Sequence, residues 1–167
     1  PKATILRPSI IYSIDDNFTT NLMSLLNLMP FFPIYYNGKT KFSPLHVFDM
    51  SEIILSIIEK NICSEIIECV GPEEMSFKQI LEKLLFSIDR KKILIPFPLV
   101  IAKLLAFFLE KFPKPLLTRD QLNLLKYDNV LSGNHKSNID IGFISKLKFE
   151  NEIKKNSYMW KKGGQYS

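Results

Sequence analysis

Apolar residues recur at helical spacing from Phe77 to Ile88. Phe77, Ile80, Leu81, Leu84, Leu85 and Ile88 fall on one face of a 3.6-residue repeat. Ser76 and Gln79 stand at its start as a capping box, each side chain placed to meet the other's backbone N–H. The same period recurs less cleanly elsewhere. Asn17 is positioned to cap a helix bearing Phe18, Leu22, Leu25, Leu26 and Met29, stopped by Pro30 and Pro33. Asp49 and Glu52 have capping-box spacing ahead of a helix that turns Ile53, Ile54, Ile57 and Ile58 inward. Leu99–Phe112 is an apolar helix with Lys103 in its middle, stopped by Pro113 and Pro115. Thr118 and Gln121 open a short helix in which Leu122, Leu124 and Leu125 can pack. Phe149–Trp160 forms a weak amphipathic helix.

Between these helices lie short β-rich runs. Ile34–Tyr36 and Lys41–Phe42 flank Asn37-Gly38, a dipeptide suited to a tight hairpin turn. Pro44 interrupts the second arm, and Leu45–Phe48 continues it. Glu65–Val70 is a strand closed by Gly71-Pro72, and Lys92–Ile95 is another. The first stretch, Ala3–Ser13, reads as a buried strand (Thr4–Leu6) running past Pro8 into a second extended segment, Ile10–Tyr12. A buried strand needs neighbours on both sides, so this reading expects the chain to start in the middle of a fold. Beyond Tyr127 turn residues dominate, and Lys161–Gly164 reads as a mobile tail. Helices alternate with strands, so the fold class is α/β.

Composition narrows the picture in a few places. The chain has 167 residues, 46% hydrophobic and 23% charged, enough for one globular domain. Its net charge is +5, but the lysines are scattered and arginine occurs only at Arg7, Arg90 and Arg119, which argues against nucleic-acid recognition. Cys63 and Cys69 lack metal or redox spacing and fit a reducing compartment. No secretory leader is visible. The Ile93–Phe112 segment approaches the length of a bilayer crossing, but Pro96, Pro98 and Lys103 interrupt it. A buried core helix and a helix lying on a membrane or partner both remain open.

No catalytic constellation is complete. There is no glycine-rich phosphate loop and no nucleophile elbow. His46 and Asp49 have the spacing of a base and its partner, but Asp49 as a helix cap and His46 as a half-buried strand residue explain both more simply. Asp15-Asp16 reads as a solvated turn. Glu73-Glu74 precedes a helix, where negative charge is favourable.

Three segments carry a resemblance: ATILRPSIIY, GKTKFSPLHVFDMSEII and ECVGPEEMSFKQIL. Together they resemble the C-terminal portion of extended Rossmann-type short-chain dehydrogenase/reductases, the NAD-dependent epimerase/dehydratase-like group. LLTRDQLNLLKYDNV is similar to a segment of the accessory NAD(P)-binding subunit of respiratory complex I and its bacterial relatives. The ending YMWKKGGQ looks like alphaproteobacterial members of that branch.

The resemblance implies that the dinucleotide-binding half, with its glycine-rich turn and Tyr-x-x-x-Lys pair, lies outside this chain. Residues 1–143 would then be the C-terminal SDR portion and 144–167 a closing helix and tail. It places Leu6, Arg7, Pro8, Ser9, Ile10 and Ile11 beside the nicotinamide end of NAD(P). Phe42, Pro44, His46 and Val47 are placed on the substrate side, and Asp49 is matched to the acid that opens the next helix. Ser13-Ile14 stands where relatives have Gly-Pro, which puts that loop's geometry in question. The implied function is a non-catalytic accessory or assembly factor of complex I, peripheral to the inner membrane (on the matrix side in a eukaryote). Its contacts would be complex I subunits or the membrane surface, through Leu99–Phe112. An epimerase, dehydratase or reductase acting on a nucleotide sugar or other hydroxy compound is the alternative.

Overall fold

The computed structural model describes residues 3–111 and 118–166, apart from the side chains of Leu109 and Gln121. The predicted helix end at Phe112, the stops at Pro113 and Pro115, Leu116 and the capping side chain of Gln121 lie outside the described residues.

Strand β1 (Ile5–Pro8) and the two-residue β2 (Ile11–Tyr12) lead into helix α1 (Asn17–Leu28). There follow β3 (Phe31–Ile34), β4 (Lys41–Phe42), β5 (Leu45–His46) and α2 (Val47–Glu59). Next come β6 (Ile66–Cys69), β7 (Met75–Ser76), α3 (Phe77–Ser87), β8 (Ile93–Pro96) and α4 (Leu99–Leu109). The chain finishes with α5 (Arg119–Leu124), β9 (Lys136–Ser137) and α6 (Phe149–Asn156), which runs into a 3-10 turn over Ser157–Trp160.

A parallel sheet of order β1-β6-β9 carries α2 on one face. Ile53 and Ile57 of α2 meet Ile67, Cys69 and Leu45 in one core cluster. Three two-stranded ladders branch from it: β2 with β5 and β3 with β8, both parallel, and β4 with β7, antiparallel. The largest cluster packs α3 against α1, α6 and Trp160, and all six predicted α3 positions, Phe77 to Ile88, are buried there. Burying Leu84 completely (0% exposed) makes its truncation to alanine worth about 2–5 kcal/mol. The Ser76–Gln79 capping box forms as expected, with Ser76 N donating to Gln79 Oε1 at 2.7 Å and Gln79 N to Ser76 Oγ at 3.2 Å.

Other expectations need correction. Asn37-Gly38 does make a tight turn, with φ of 56° and 66°, but no hairpin forms. The arm before it pairs with β8 and the arm after it with β7, because partners distant in sequence satisfy both edges. β1 is not buried on both sides: among the described residues it pairs with β6 alone, and Ile5 is 53% exposed. The cap of α1 is Asp16, one residue before Asn17, and its carboxylate accepts from Thr19 N. Val47 and Phe48 open α2 rather than extending β5. Ile54 and Ile58 point outward, since only the 53/57 stripe reaches the sheet, and Leu124 is exposed while Leu122 is buried. The loose region after Tyr127 contains β9 and a buried Asn138, whose Oδ1 accepts Val70 N at 2.8 Å. The tail folds back: Tyr166 lies against Trp160 with ring centroids 5.1 Å apart, and Lys161 pairs with Asp89 at 2.9 Å.

Candidate functional site

Open parallel sheets present ligands at the carboxyl ends of their strands. Here β1 and β6 end side by side, at Pro8 and Cys69, and the segment Ser9–Tyr12 leaves from that end. Ser9 is buried and ties three chain segments together. Its N–H donates to Cys69 O at 2.9 Å, and its hydroxyl donates to Asn129 O at 2.8 Å and accepts from Ser43 N at 3.1 Å. Leu6 and Ile10 are half-buried against the core clusters. Arg7, Pro8 and Ile11 stay exposed, and so they are the members of the predicted cofactor segment with side chains on the surface.

Of the predicted substrate-side residues, His46 and Val47 line a cleft of about 290 Å³. Phe42 and Pro44 are buried outside its lining. Phe42 lies edge-on to Phe77, and the Pro44 carbonyl is pressed against Gly71, where a Cβ would sit 1.7 Å from that oxygen. Tyr12, Ser13, Ile14 and Phe48 complete the near wall, and Glu152, Ile153 and Lys155 of α6 form the far one. Sequence reading missed the far wall. It lies more than a hundred positions from His46, and its amphipathic helix gave no hint of which face met a cleft.

His46 is buried, and its Nδ1 accepts the Phe48 N–H at 3.3 Å, so it caps α2 itself. That bond requires the tautomer with its proton on Nε2. Burial lowers its pKa, and the nearby Glu152 and Asp49 charges offset this only in part. Tyr12 stands edge-on to His46 at 5.1 Å and to Phe149 at 4.9 Å. Its hydroxyl donates to Leu147 O at 3.2 Å. Burial first, then the charges of Glu152, Asp49 and Glu73, push its pKa up, so it stays a protonated donor.

Asp49, expected to cap α2, does something else. Its Oδ2 accepts the backbone N–H groups of Lys146 and Leu147 at 3.1 and 3.0 Å. Together with Tyr12 it clasps the loop that delivers α6 to the cleft. Ser13 is not at a positive φ, and its N–H is held by Asp16 Oδ2 at 3.1 Å, so this turn forms without glycine. Chemically the cleft offers mostly apolar walls, a neutral histidine whose Nδ1 is engaged by backbone, and the Glu152–Lys155 ion pair at 2.7 Å. Among the described residues no group of histidine, cysteine and carboxylate side chains could hold a metal ion.

The fold defines the class. The chain has the C-terminal portion of an extended Rossmann-type short-chain dehydrogenase/reductase fold. It superimposes with a TM-score of 0.68 on a human epimerase family protein solved with NADPH, covering 93% of this chain and 48% of that one at 13% identity. The Thermotoga maritima UDP-glucose 4-epimerase, solved with UDP-glucose, gives a TM-score of 0.58 over 93% of this chain and 45% of its own, also at 13% identity. At such identities the likeness concerns the fold alone.

In sequence the chain is similar to mitochondrial respiratory subunits. It is 30% identical over 132 residues to NADH dehydrogenase [ubiquinone] 1 alpha subcomplex subunit 9 of Dictyostelium discoideum, covering 77% of this chain and 37% of that protein. It is 28% identical over 148 residues to the Arabidopsis thaliana subunit of the same name, covering 80% of this chain and 36% of that protein. It is 26% identical over 145 residues to the NADH-ubiquinone oxidoreductase 40 kDa subunit of Neurospora crassa, covering 85% of this chain and 37% of that one. The chain therefore spans little more than a third of the curated relatives it matches. No family model matches it.

Proposed function

We propose that this chain is the C-terminal portion of a non-catalytic NAD(P)-binding accessory or assembly subunit of NADH:ubiquinone oxidoreductase, peripheral to the membrane that holds the complex. The observation that carries this reading is the 26–30% identity to three such subunits over most of the chain, against 13% to the epimerases. Residues 1–143 act as the SDR portion and 144–167 as its closing helix and tail. NAD or NADP is held mainly by the dinucleotide-binding half of the fold. Leu6–Ile11 lies at the nicotinamide end, and the His46–Val47 cleft lies on the side where enzymes of this fold place substrate.

Helix α4 is the surface offered to the membrane or to a neighbouring subunit. Among its described side chains it buries Ala102 and Ala106 fully, against Tyr35 and Leu122, with Leu99 partly buried beside them. Val100, Leu104 and Phe108 are 81%, 59% and 53% exposed, as an interfacial helix requires. Among the described residues no helix is long and apolar enough to cross a membrane. Lys103 can snorkel to a headgroup, and Lys111 lies 5.2 Å from the Phe107 ring centroid.

The test is blue-native electrophoresis of the tagged full-length gene product, followed by nucleotide analysis of the denatured band. Migration with the NADH:ubiquinone oxidoreductase or an assembly intermediate, with bound NAD(P), is expected. Migration as a free protein that turns over a nucleotide sugar would replace this reading with the epimerase one.

A further inference from the structure

The cleft between β2, the start of α2 and α6 is bordered by a hydrogen-bond donor that no group among the described residues uses. His46 is 3% exposed, and its Nδ1 is taken by the Phe48 N–H. The proton then sits on Nε2, which has no hydrogen-bond partner among the described residues. The fully buried side-chain polar atoms left without a partner there are Glu65 Oε2 and Glu73 Oε2, so Nε2 keeps some access, and the space that His46 borders is the cleft. A donor so far from bulk water is costly unless a guest supplies an acceptor.

The charges around the cleft restrict that guest. Lys155, the cation of the lining, is already held by Glu152 at 2.7 Å. Asp15 stands exposed at the lining, and the charges of Glu152, Asp49 and Glu73 all bear on Tyr12, so the field is negative. An anion meets that field with no free cation to offset it. A cation would face the His46 N–H and give up its water to the apolar walls of Ile14, Val47, Phe48 and Ile153. Ser13 and Asn156, both half-buried, add polar groups without charge. The 290 Å³ lies at the low end of small-molecule pockets, which run from about 300 to 1,000 Å³. A nucleotide sugar is therefore refused by its size and again by its pyrophosphate.

We infer that this cleft binds a small uncharged ligand with an apolar body and one hydrogen-bond acceptor, such as a ketone or ester, whose oxygen takes the His46 Nε2–H. The inference rests on reading the cleft as the substrate side of the fold, and not on the respiratory assignment. A free protein on the native gel would fail that assignment and leave the ligand question to the titrations below.

The experiment labels the full-length gene product with 15N-histidine and follows the His46 ring, identified by its loss in H46N. Acetophenone, benzoate and benzylammonium carry a neutral, a negative and a positive head on the same ring, and UDP-glucose is the fourth probe. Acetophenone is expected to move the Nε2 signal saturably and at least about tenfold more tightly than the other three. H46N keeps an acceptor for the Phe48 N–H but lacks the Nε2 donor, and it should weaken acetophenone about threefold or more in a calorimetric titration. V47W fills the cleft from a partly exposed position and should abolish binding, which decides the matter even where H46N fails to fold. Equal or tighter action of a charged probe or UDP-glucose on the His46 signal, acetophenone binding unchanged in V47W, or no saturable shift with acetophenone overturns the inference.

Discussion

The Asp49 clasp can be separated from a helix cap by two substitutions at one position. Asp49 is 6% exposed, and its Oδ2 takes two backbone N–H bonds from Lys146 and Leu147. A charge-assisted bond of this kind contributes about 1.5 kcal/mol or more, roughly twice a neutral one. Asp49→Ala loses both and leaves two donors short of partners, so it should cost about 3 kcal/mol. Asp49→Asn can still present an oxygen at the same place but without charge, so it should cost about 1.5 kcal/mol. A cap behaves differently: asparagine caps as well as aspartate, and alanine costs about 1 kcal/mol. Urea unfolding at neutral pH reads the difference as a shift of midpoint at constant slope. An Asn variant equal to wild type, with the Ala variant about 1 kcal/mol lower, would refute the clasp and restore the cap.

Two further outcomes follow from the burial of titratable side chains. The folded pKa of His46 lies below its ordinary 6.5, chiefly through burial. The unfolded chain therefore binds the extra proton first, and stability present above about pH 6.5 is lost as pH falls through the lowered folded value. Urea midpoints between pH 7.5 and 5 should show this loss, and H46N, which keeps a capping acceptor, should flatten it; an unchanged slope in H46N would assign the effect elsewhere. Cys63 is exposed, whereas Cys69 is buried with its thiol pushed up to about 11 by desolvation. Ellman's reagent should therefore label one thiol in the native protein and the second only on unfolding, and fast labelling of both would contradict the burial of β6.

The clearest local signals in the sequence were those a single element settles by itself. The Phe77–Ile88 stripe and the Ser76–Gln79 box form as written, because helix period and capping involve only residues within a turn or two. The turn at Asn37-Gly38 is equally local, and it forms with positive φ at both residues. What it joins is not local. Strand pairing depends on which distant edge is free, and β3 and β4 find β8 and β7 instead of each other.

The same reason governs the candidate site. His46 and Val47 were legible because a motif names them. The cleft they line was not, since its far wall comes from α6 and is fixed there by Tyr12 and Asp49 bonding the 146–147 backbone. A carboxylate beginning a helix and one reaching across to another loop look identical in sequence. By itself the sequence determined the α/β class, the best helix and the family resemblance. Only the tertiary structure decided the strand partners, the role of Asp49 and which apolar faces remain open, because each depends on contacts between segments far apart along the chain.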